Sequence, residues 1–327
     1  MSQHNRHSEK VKVKRVDLVL TRLGLGTAPL GGLFTSVQDA DSDELIATAF
    51  DQGIRYFDTA PLYGHGRAEI RLGRALRAAG EPYVLSTKVG RVLNAATNVD
   101  LSWFADADPN LEPVYDYSKD GIKRSIEDSL KRLGVDHIDI ALMHDAENHL
   151  SEAIHSAYPV LADLRSQGVI KAVGMGLNIC SASVAIMKET DLDVALIAGR
   201  FTLLDQEAQD ELFPLALRKN VSIIIGGVYN SGVLANPNPG AMYDYLPAAA
   251  EIIERARKIG AFLKERNVPL TAAALQFPLR HPAVTTVLTG SRNKTELLSN
   301  IEDFDRELPA EIWTDLEESG LVHMLKA

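Results

Sequence analysis

Residues 55–88 read RYFDTAPLYGHGRAEIRLGRALRAAGEPYVLSTK. The run Arg55–Thr59 is short and rich in aromatics, and it breaks at Pro61, Gly64 and Gly66. Residues 66–79 then place Ala68, Leu72, Ala75 and Leu76 at helical spacing with arginines between them. Tyr83–Lys88 is again short and largely apolar. A strand, a helix and a second strand in so short a span make a βαβ unit, which joins parallel neighbours because the helix carries the chain back over the sheet.

The same rhythm extends in both directions. One further strand is expected upstream, at Leu23–Leu30, and five downstream, at Ile138–His144, Ala172–Leu177, Val194–Gly199, Val221–Gly226 and Val284–Thr289. Helices are expected at 41–52, 66–79, 119–133, 151–167, 180–189, 205–219, 248–266 and 293–303, several opened by Asp or Ser in capping positions. Eight strands, each with a helix and each a near-continuous apolar run, predict an α/β protein of the (β/α)₈ TIM-barrel class. An open doubly wound sheet is the alternative, but no GxGxxG follows the first strand. Residues 11–22, VKVKRVDLVLTR, alternate as an N-terminal β-hairpin does and are expected to floor the barrel. The domain reading is a flexible tail at 1–15 and a single domain at 16–327. Gly90–Ser118 is too long for an ordinary βα connection and is expected to be a binding loop or lid.

Composition narrows the function. The chain has 327 residues, 46% hydrophobic and 24% charged, which suits one large barrel with a sizeable core. A net charge of -10 excludes the basic excess that nucleic-acid binding requires. The first residues, MSQHNRHSEKVKVKR, are polar with no apolar run after them, so neither a secretory signal nor a membrane span is expected and a cytoplasmic location follows. The single cysteine, Cys180, excludes an internal disulfide and reads as a small buried residue; no metal site is expected. The oligomeric state is left open.

Asp58, Lys88 and His144 close the second, third and fourth strands. In a βα barrel these ends share one rim, and Tyr63 lies in the loop above it. A free tyrosine ionises near pH ~10. A lysine cation beside it favours the phenolate, and an aspartate holds that lysine charged. The set predicts a tuned proton-transfer residue, Tyr63, with His144 orienting a substrate oxygen. Taken singly, each residue has an ordinary role as a cap, a loop anchor, a solvated charge or a rim histidine. Three on consecutive strand ends, with Tyr63 in the loop above them, argue jointly for a site. Trp103 and Phe104, with Tyr115 and Tyr117, either wall the substrate or pin the long loop.

Three segments, GIRYFDTAPLYGHGRAEIRLGRAL at 53–76, STKVG at 86–90 and SLKRLGVDHIDIALMHD at 129–145, resemble the aldo-keto reductases, and the likeness extends over roughly residues 16–305. The resemblance implies the same barrel, with Asp58, Tyr63, Lys88 and His144 as a catalytic tetrad and Tyr63 and His144 touching the substrate. It also implies NAD or NADP laid across the rim. LTGSRNKTELLSN, 288–300, would then place Gly290, Ser291 and Arg292 at the phosphates, opening a helix N-terminus, and Glu296 and Asn300 at the adenosine end. Asn178 would hold the carboxamide; Gly26, Thr27, Asp58, Gly226, Gly227, Asn230, Gly232 and Leu234 complete the implied cofactor path. Arg292 suits a 2′-phosphate, whereas the Glu296 carboxylate repels one or accepts from a free ribose, so NAD is expected before NADP. Ala198 and Gly226 stand where the family usually has a glutamine and a stacking aromatic. Phe201 and Tyr229 are the candidates for a replacement aromatic wall, with core packing as the competing role.

GRFTLLDQ at 199–206, GGVYNSGVLA at 226–235 and DYSKDGIKRSIEDSLKRLG at 116–134 are similar to a branch of the family containing D-threo-aldose, L-fucose and L-galactose dehydrogenases and pyridoxal 4-dehydrogenase. That likeness implies oxidation of an aldose at its anomeric hydroxyl, giving a lactone, with pyridoxal as another substrate. Two other readings stand beside it: an NADPH-dependent aldehyde or ketone reductase, and a cofactor-holding regulatory subunit like the channel β-subunits that share the fold.

Overall fold

In a computed structural model, which describes residues 5–326, eight strands close in sequence order into a parallel barrel. They are β1 (Leu23–Gly26), β2 (Tyr56–Asp58), β3 (Val84–Val89), β4 (Ile140–His144), β5 (Ala172–Leu177), β6 (Val194–Ala198), β7 (Ser222–Gly226) and β8 (Val284–Gly290). β8 pairs back onto β1 through Val287–Leu23 to Gly290–Gly26, which completes the closure. The expected TIM barrel with its N-terminal hairpin is therefore present. β1 is shorter than Leu23–Leu30, because a 3₁₀ turn takes over at Ala28–Gly31, where Pro29 has no N–H for the ladder.

Side chains alternate across the barrel wall. Outward residues such as Leu25, Phe57 and Leu85 join the helices in the larger core. Inward residues Tyr56, Ile140, Leu142, Val194, Leu196, Ile224 and Leu288 form a separate interior cluster. Gly24 and Gly174 make room for it: a β-carbon at Gly24 would lie 2.5 Å from the Tyr56 ring, and one at Gly174 2.5 Å from Val194.

The helices α1 (Asp39–Asp51), α2 (Arg67–Ala79), α3 (Lys119–Leu133), α4 (Tyr158–Ser166), α5 (Cys180–Glu189), α6 (Leu212–Lys219), α7 (Ala250–Lys264), α8 (Leu270–Gln276), α9 (Lys294–Asp305) and α10 (Ile312–Glu318) surround the barrel. Ser118 caps α3 through its hydroxyl, which accepts from Gly121 N–H at 3.0 Å. The expected helix 151–167 is interrupted by a π turn at Ala153–Ala157, since Pro159 cannot donate to the His155 carbonyl. α8 falls outside the expected helices. Its Ala272–Gln276 stretch is entirely buried, so it shows no polar face from which a helical period could be read.

Lys10–Lys12 pairs antiparallel with Val19–Thr21 as the expected hairpin. Val13, Leu18 and Leu20 plug the barrel interior from below. The reading of 1–15 as a free tail fails over its described part. His7 is 2% exposed, its ring nitrogens 2.6 Å from Asp305 Oδ2 and 2.7 Å from the Gln52 carbonyl, so the turn Arg6–Ser8 is fastened to α9 and the end of α1, and Val13 is buried in the barrel floor. Residues 1–4 lie outside the described residues. Gly90–Ser118 is not irregular throughout: Arg91–Ala95 and Leu111–Tyr115 form an antiparallel hairpin standing above β3. Among the described residues, no helix is long and apolar enough to cross a membrane.

Candidate active site

Because β2, β3 and β4 are in parallel register, Asp58 pairs with Ser86 and Lys88 with Leu142. Asp58, Lys88 and His144 thus point inward at the C-terminal rim at successive heights. Lys88 Nζ donates to Asp58 Oδ2 at 2.6 Å and to the Thr59 carbonyl at 2.9 Å. The Ser86 hydroxyl donates to Asp58 Oδ1 at 2.6 Å and lies 3.0 Å from the Tyr56 hydroxyl. Both members of the Lys88–Asp58 pair are buried, and these extra bonds are what offset the cost of desolvating them.

Tyr63 sits over this pair in the β2 loop. Lys88 Nζ is 4.6 Å from the centre of its ring, and the His144 ring meets it edge-on at 5.9 Å. The structure brings together all four residues expected to form the tetrad, but it corrects the expected electrostatics. Burial, then the nearby Asp58 and Asp145 carboxylates, hold Tyr63 well above the usual tyrosine range, so the residue rests as the phenol. Lys88 does not reverse this, because its cation lies against the ring face and is matched by Asp58. Burial likewise pushes His144 down to about 3, opposed by Asp145, so its imidazole is neutral at physiological pH. His144 Nδ1 has no hydrogen-bond partner among the described residues, while Nε2 lies 3.6 Å from Asp145 Oδ2. Arg91 holds that carboxylate at 2.8 Å. The Tyr117 hydroxyl donates to the His144 carbonyl, fastening the β3 loop to β4.

Two clefts meet at Tyr63. One is a groove lined by Gly26, Thr27, Asp58, Asn178, Gly226, Gly227, Asn230, Gly232, Gly290, Arg292 and Glu296, all of them expected cofactor contacts. The other, of about 610 Å³, is walled by Trp103, Phe104, Tyr115, His144 and Tyr245, a size suited to a small ring compound. Asn178, Ala198, Asp244 and Tyr245 line both.

Three expected cofactor residues stand apart. Leu234 is fully buried in the main core and presents no side chain to the groove. Ser291 is 1% exposed, and its hydroxyl accepts from Asn300 Nδ2 at 3.1 Å. Asn300 also accepts from the Tyr229 hydroxyl at 2.8 Å, so its amide is engaged within the protein. Phe201 is excluded as a stacking wall, for it is buried against Phe213 and Phe277. Tyr229 does line the groove.

The charges at the Arg292 end of the groove neutralise each other. Arg292 donates from Nη2 to Glu296 Oε1 at 2.6 Å and from Nε at 2.9 Å, and its backbone N–H reaches Oε2 at 2.8 Å. Asn293 caps α9 by accepting from Glu296 N–H at 3.0 Å. At the helix N-terminus expected to receive phosphate, the N–H groups of Arg292 and Glu296 are thereby engaged.

The residues still fit a dinucleotide. Asn230 Oδ1 is a buried acceptor in the groove without a partner among the described residues, and Gly226 and Gly227 leave the β7 end open where side chains would fill it. Sequence reasoning missed Tyr245, which stacks on Trp103 at 5.5 Å and 11° and lies 6.5 Å from Phe34. It occupies the tip of a hairpin, Met242–Tyr243 with Leu246–Pro247, where Asp244 and Tyr245 both have positive φ (48° and 63°). A tyrosine in that conformation is uncommon and costs energy. The aromatic pair in YDYLP, just after the GGVYNSG stretch, was the available signal.

The aldo/keto reductase family profile matches residues 22–320. Over 98% of this chain and 99% of the relative, the sequence is 41% identical to a pyridoxal 4-dehydrogenase of Microbacterium luteolum. It is 37% identical to a D-threo-aldose 1-dehydrogenase of a Pseudomonas species, over 93% and 95% of the two chains. An aldo-keto reductase from Bacillus halodurans, in its holo form, superposes with a TM-score of 0.76 over 96% of each chain at 24% identity, a likeness of fold. Barrel, rim geometry and sequence likeness agree: the chain belongs to the aldo/keto reductase family.

Proposed function

We propose that this protein is an NAD(P)-dependent dehydrogenase that oxidises the anomeric carbon of an aldose to a lactone, with NAD as the preferred acceptor. The observation that carries the reading is the meeting of the two clefts at Tyr63, one running to Arg292 and Glu296, the other walled by aromatics. When bound, the oxidised nicotinamide supplies the hydride acceptor and a positive charge at the rim. Tyr63 takes the hydroxyl proton. Because it rests as a phenol, it works as a base only after giving up its own proton, so oxidation is favoured by alkaline conditions. Neutral His144 is suited to hold the substrate oxygen without adding charge. Asn178 would hold the carboxamide, and the Arg292–Glu296 pair supports NAD, since a 2′-phosphate has to displace Glu296 to reach the guanidinium.

A second substrate is favoured by the 41% identity to a pyridoxal 4-dehydrogenase over nearly the whole chain. Pyridoxal also closes into a cyclic hemiacetal, so the same chemistry serves both. Incubating the protein with ring aldoses, pyridoxal and simple aldehydes, with NAD and NADP and their reduced forms, tests the reading. Formation of NADH with a hemiacetal supports it. Activity confined to NADPH-driven reduction, or cofactor binding without turnover, contradicts it.

A further inference from the structure

Two residues beyond Tyr63 lies a second histidine of the substrate cleft. His65 is 5% exposed and lines that cleft. Its φ is 49°, between Gly64 at 62° and Gly66 at 90°, so a side chain with a β-carbon is held where glycine is the easy choice. The loop is locked there, since a β-carbon on Gly64 would lie 2.5 Å from the Gly31 carbonyl oxygen and Arg67 N–H donates to the Gly64 carbonyl at 3.1 Å. Yet His65 Nδ1 is buried and has no hydrogen-bond partner among the described residues. A buried polar atom left in this way is costly unless something bound supplies the partner.

The charges around it are uneven. Each cation of the cleft is matched by its own carboxylate: Lys88 by Asp58 at 2.6 Å, Arg91 by Asp145 at 2.8 Å and Arg200 by Asp244 at 2.8 Å. Asp100, Glu112 and Glu147 line the same cleft and form no ion pair among the described residues. The surplus is negative.

Building on the proposed activity, we infer that His65 and the unmatched carboxylates make this cleft a site for a neutral, hydroxyl-bearing ring, and exclude phosphorylated or carboxylated forms of the same substrate. The His65 imidazole, at the cleft wall, supplies a ring nitrogen able to hydrogen-bond a hydroxyl group. The surplus carboxylates accept from further hydroxyls and repel an anion, and discrimination of this kind rests on the repulsive element as much as the attractive one.

The test is steady-state oxidation of a free ring aldose, the same aldose carrying a terminal phosphate, and pyridoxal, by the wild type and by His65→Asn. Asparagine tolerates the left-handed backbone, so this variant removes the imidazole without forcing the loop, and its NAD affinity checks that the barrel is intact. The expected result is a preference for the free sugar of about a hundredfold in kcat/KM. In His65→Asn, KM for the free sugar is expected to rise about tenfold with kcat little affected, as loss of a binding contact predicts. Equal use of the phosphorylated sugar overturns the inference, as does an unaltered KM or a loss confined to kcat in the variant. A wild type inert toward both free sugar and pyridoxal overturns the proposed activity itself.

Discussion

At the scale of single residues the account depends on Tyr63. Replacing it by phenylalanine should lower turnover by roughly a thousandfold while leaving NAD binding intact, which turnover and cofactor titration together check. Its raised pKa gives a pH signature. Oxidation needs the phenolate, so its rate should climb through neutral pH without levelling off below pH ~10. Reduction needs the phenol and should stay level over that range. His144, held to about 3, is already neutral and should add no inflection between pH 5 and 8. At the other end of the groove, Glu296→Gln should free Arg292 and shift the NAD-to-NADP ratio of kcat/KM toward NADP by about tenfold. An unaltered ratio would mean that the pair does not govern the choice. The positions of Asp58, Lys88 and His144 were legible in the sequence because strand ends of a barrel share a rim. Their energetics were not, since whether Lys88 meets the hydroxyl or the face of Tyr63 depends on tertiary placement that no spacing records.

At the scale of elements, loops from different strands must be held over one rim. Arg71 on α2 does this from a buried position: it donates to the Val37 carbonyl at 2.6 Å, to Asp39 at 2.7 Å and to Asp106 at 2.8 Å. It also donates to the Leu30 carbonyl at 2.5 Å, so the β1 loop and the β3 loop are tied to one guanidinium. Arg71→Ala leaves the Leu30 and Val37 carbonyls without this donor and the largely buried Asp106, still bonded by Ser36 and the Val37 N–H, without its cation, and should cost about 3 kcal/mol, read from the urea midpoint. KM should rise as well, since Phe104 lies 6.2 Å from Tyr63 and is carried by the same loop. The long β3 loop was legible as a binding segment because its length and aromatics exceed what a connection needs. Its hairpin was not, for LEPVY carries a proline and no clean alternation. The Tyr245 hairpin was hidden for a similar reason, lying among asparagines, prolines and glycines that read as plain loop.

For the whole molecule, the barrel was legible in outline because eight short apolar runs recur with helical stretches between them. The packed N-terminal segment was missed, since one buried histidine amid polar residues carries no periodic signal. That segment leads into the barrel floor, where Leu20 is 1% exposed among Tyr56, Ile140 and Leu288. Leu20→Ala should cost about 2–5 kcal/mol and lower Tm by several degrees, with the catalytic rim, at the opposite end, keeping its pH profile. The barrel rim brings a phenol, a neutral imidazole and the groove proposed for the dinucleotide to one point, as the proposed hemiacetal oxidation requires. The most direct test of that oxidation is NADH formation at alkaline pH from a free ring aldose or pyridoxal, with wild type and Tyr63→Phe side by side. Lactone and NADH are expected in equal amounts from the wild type and almost none from the variant; comparable NADH from both would overturn the role of Tyr63.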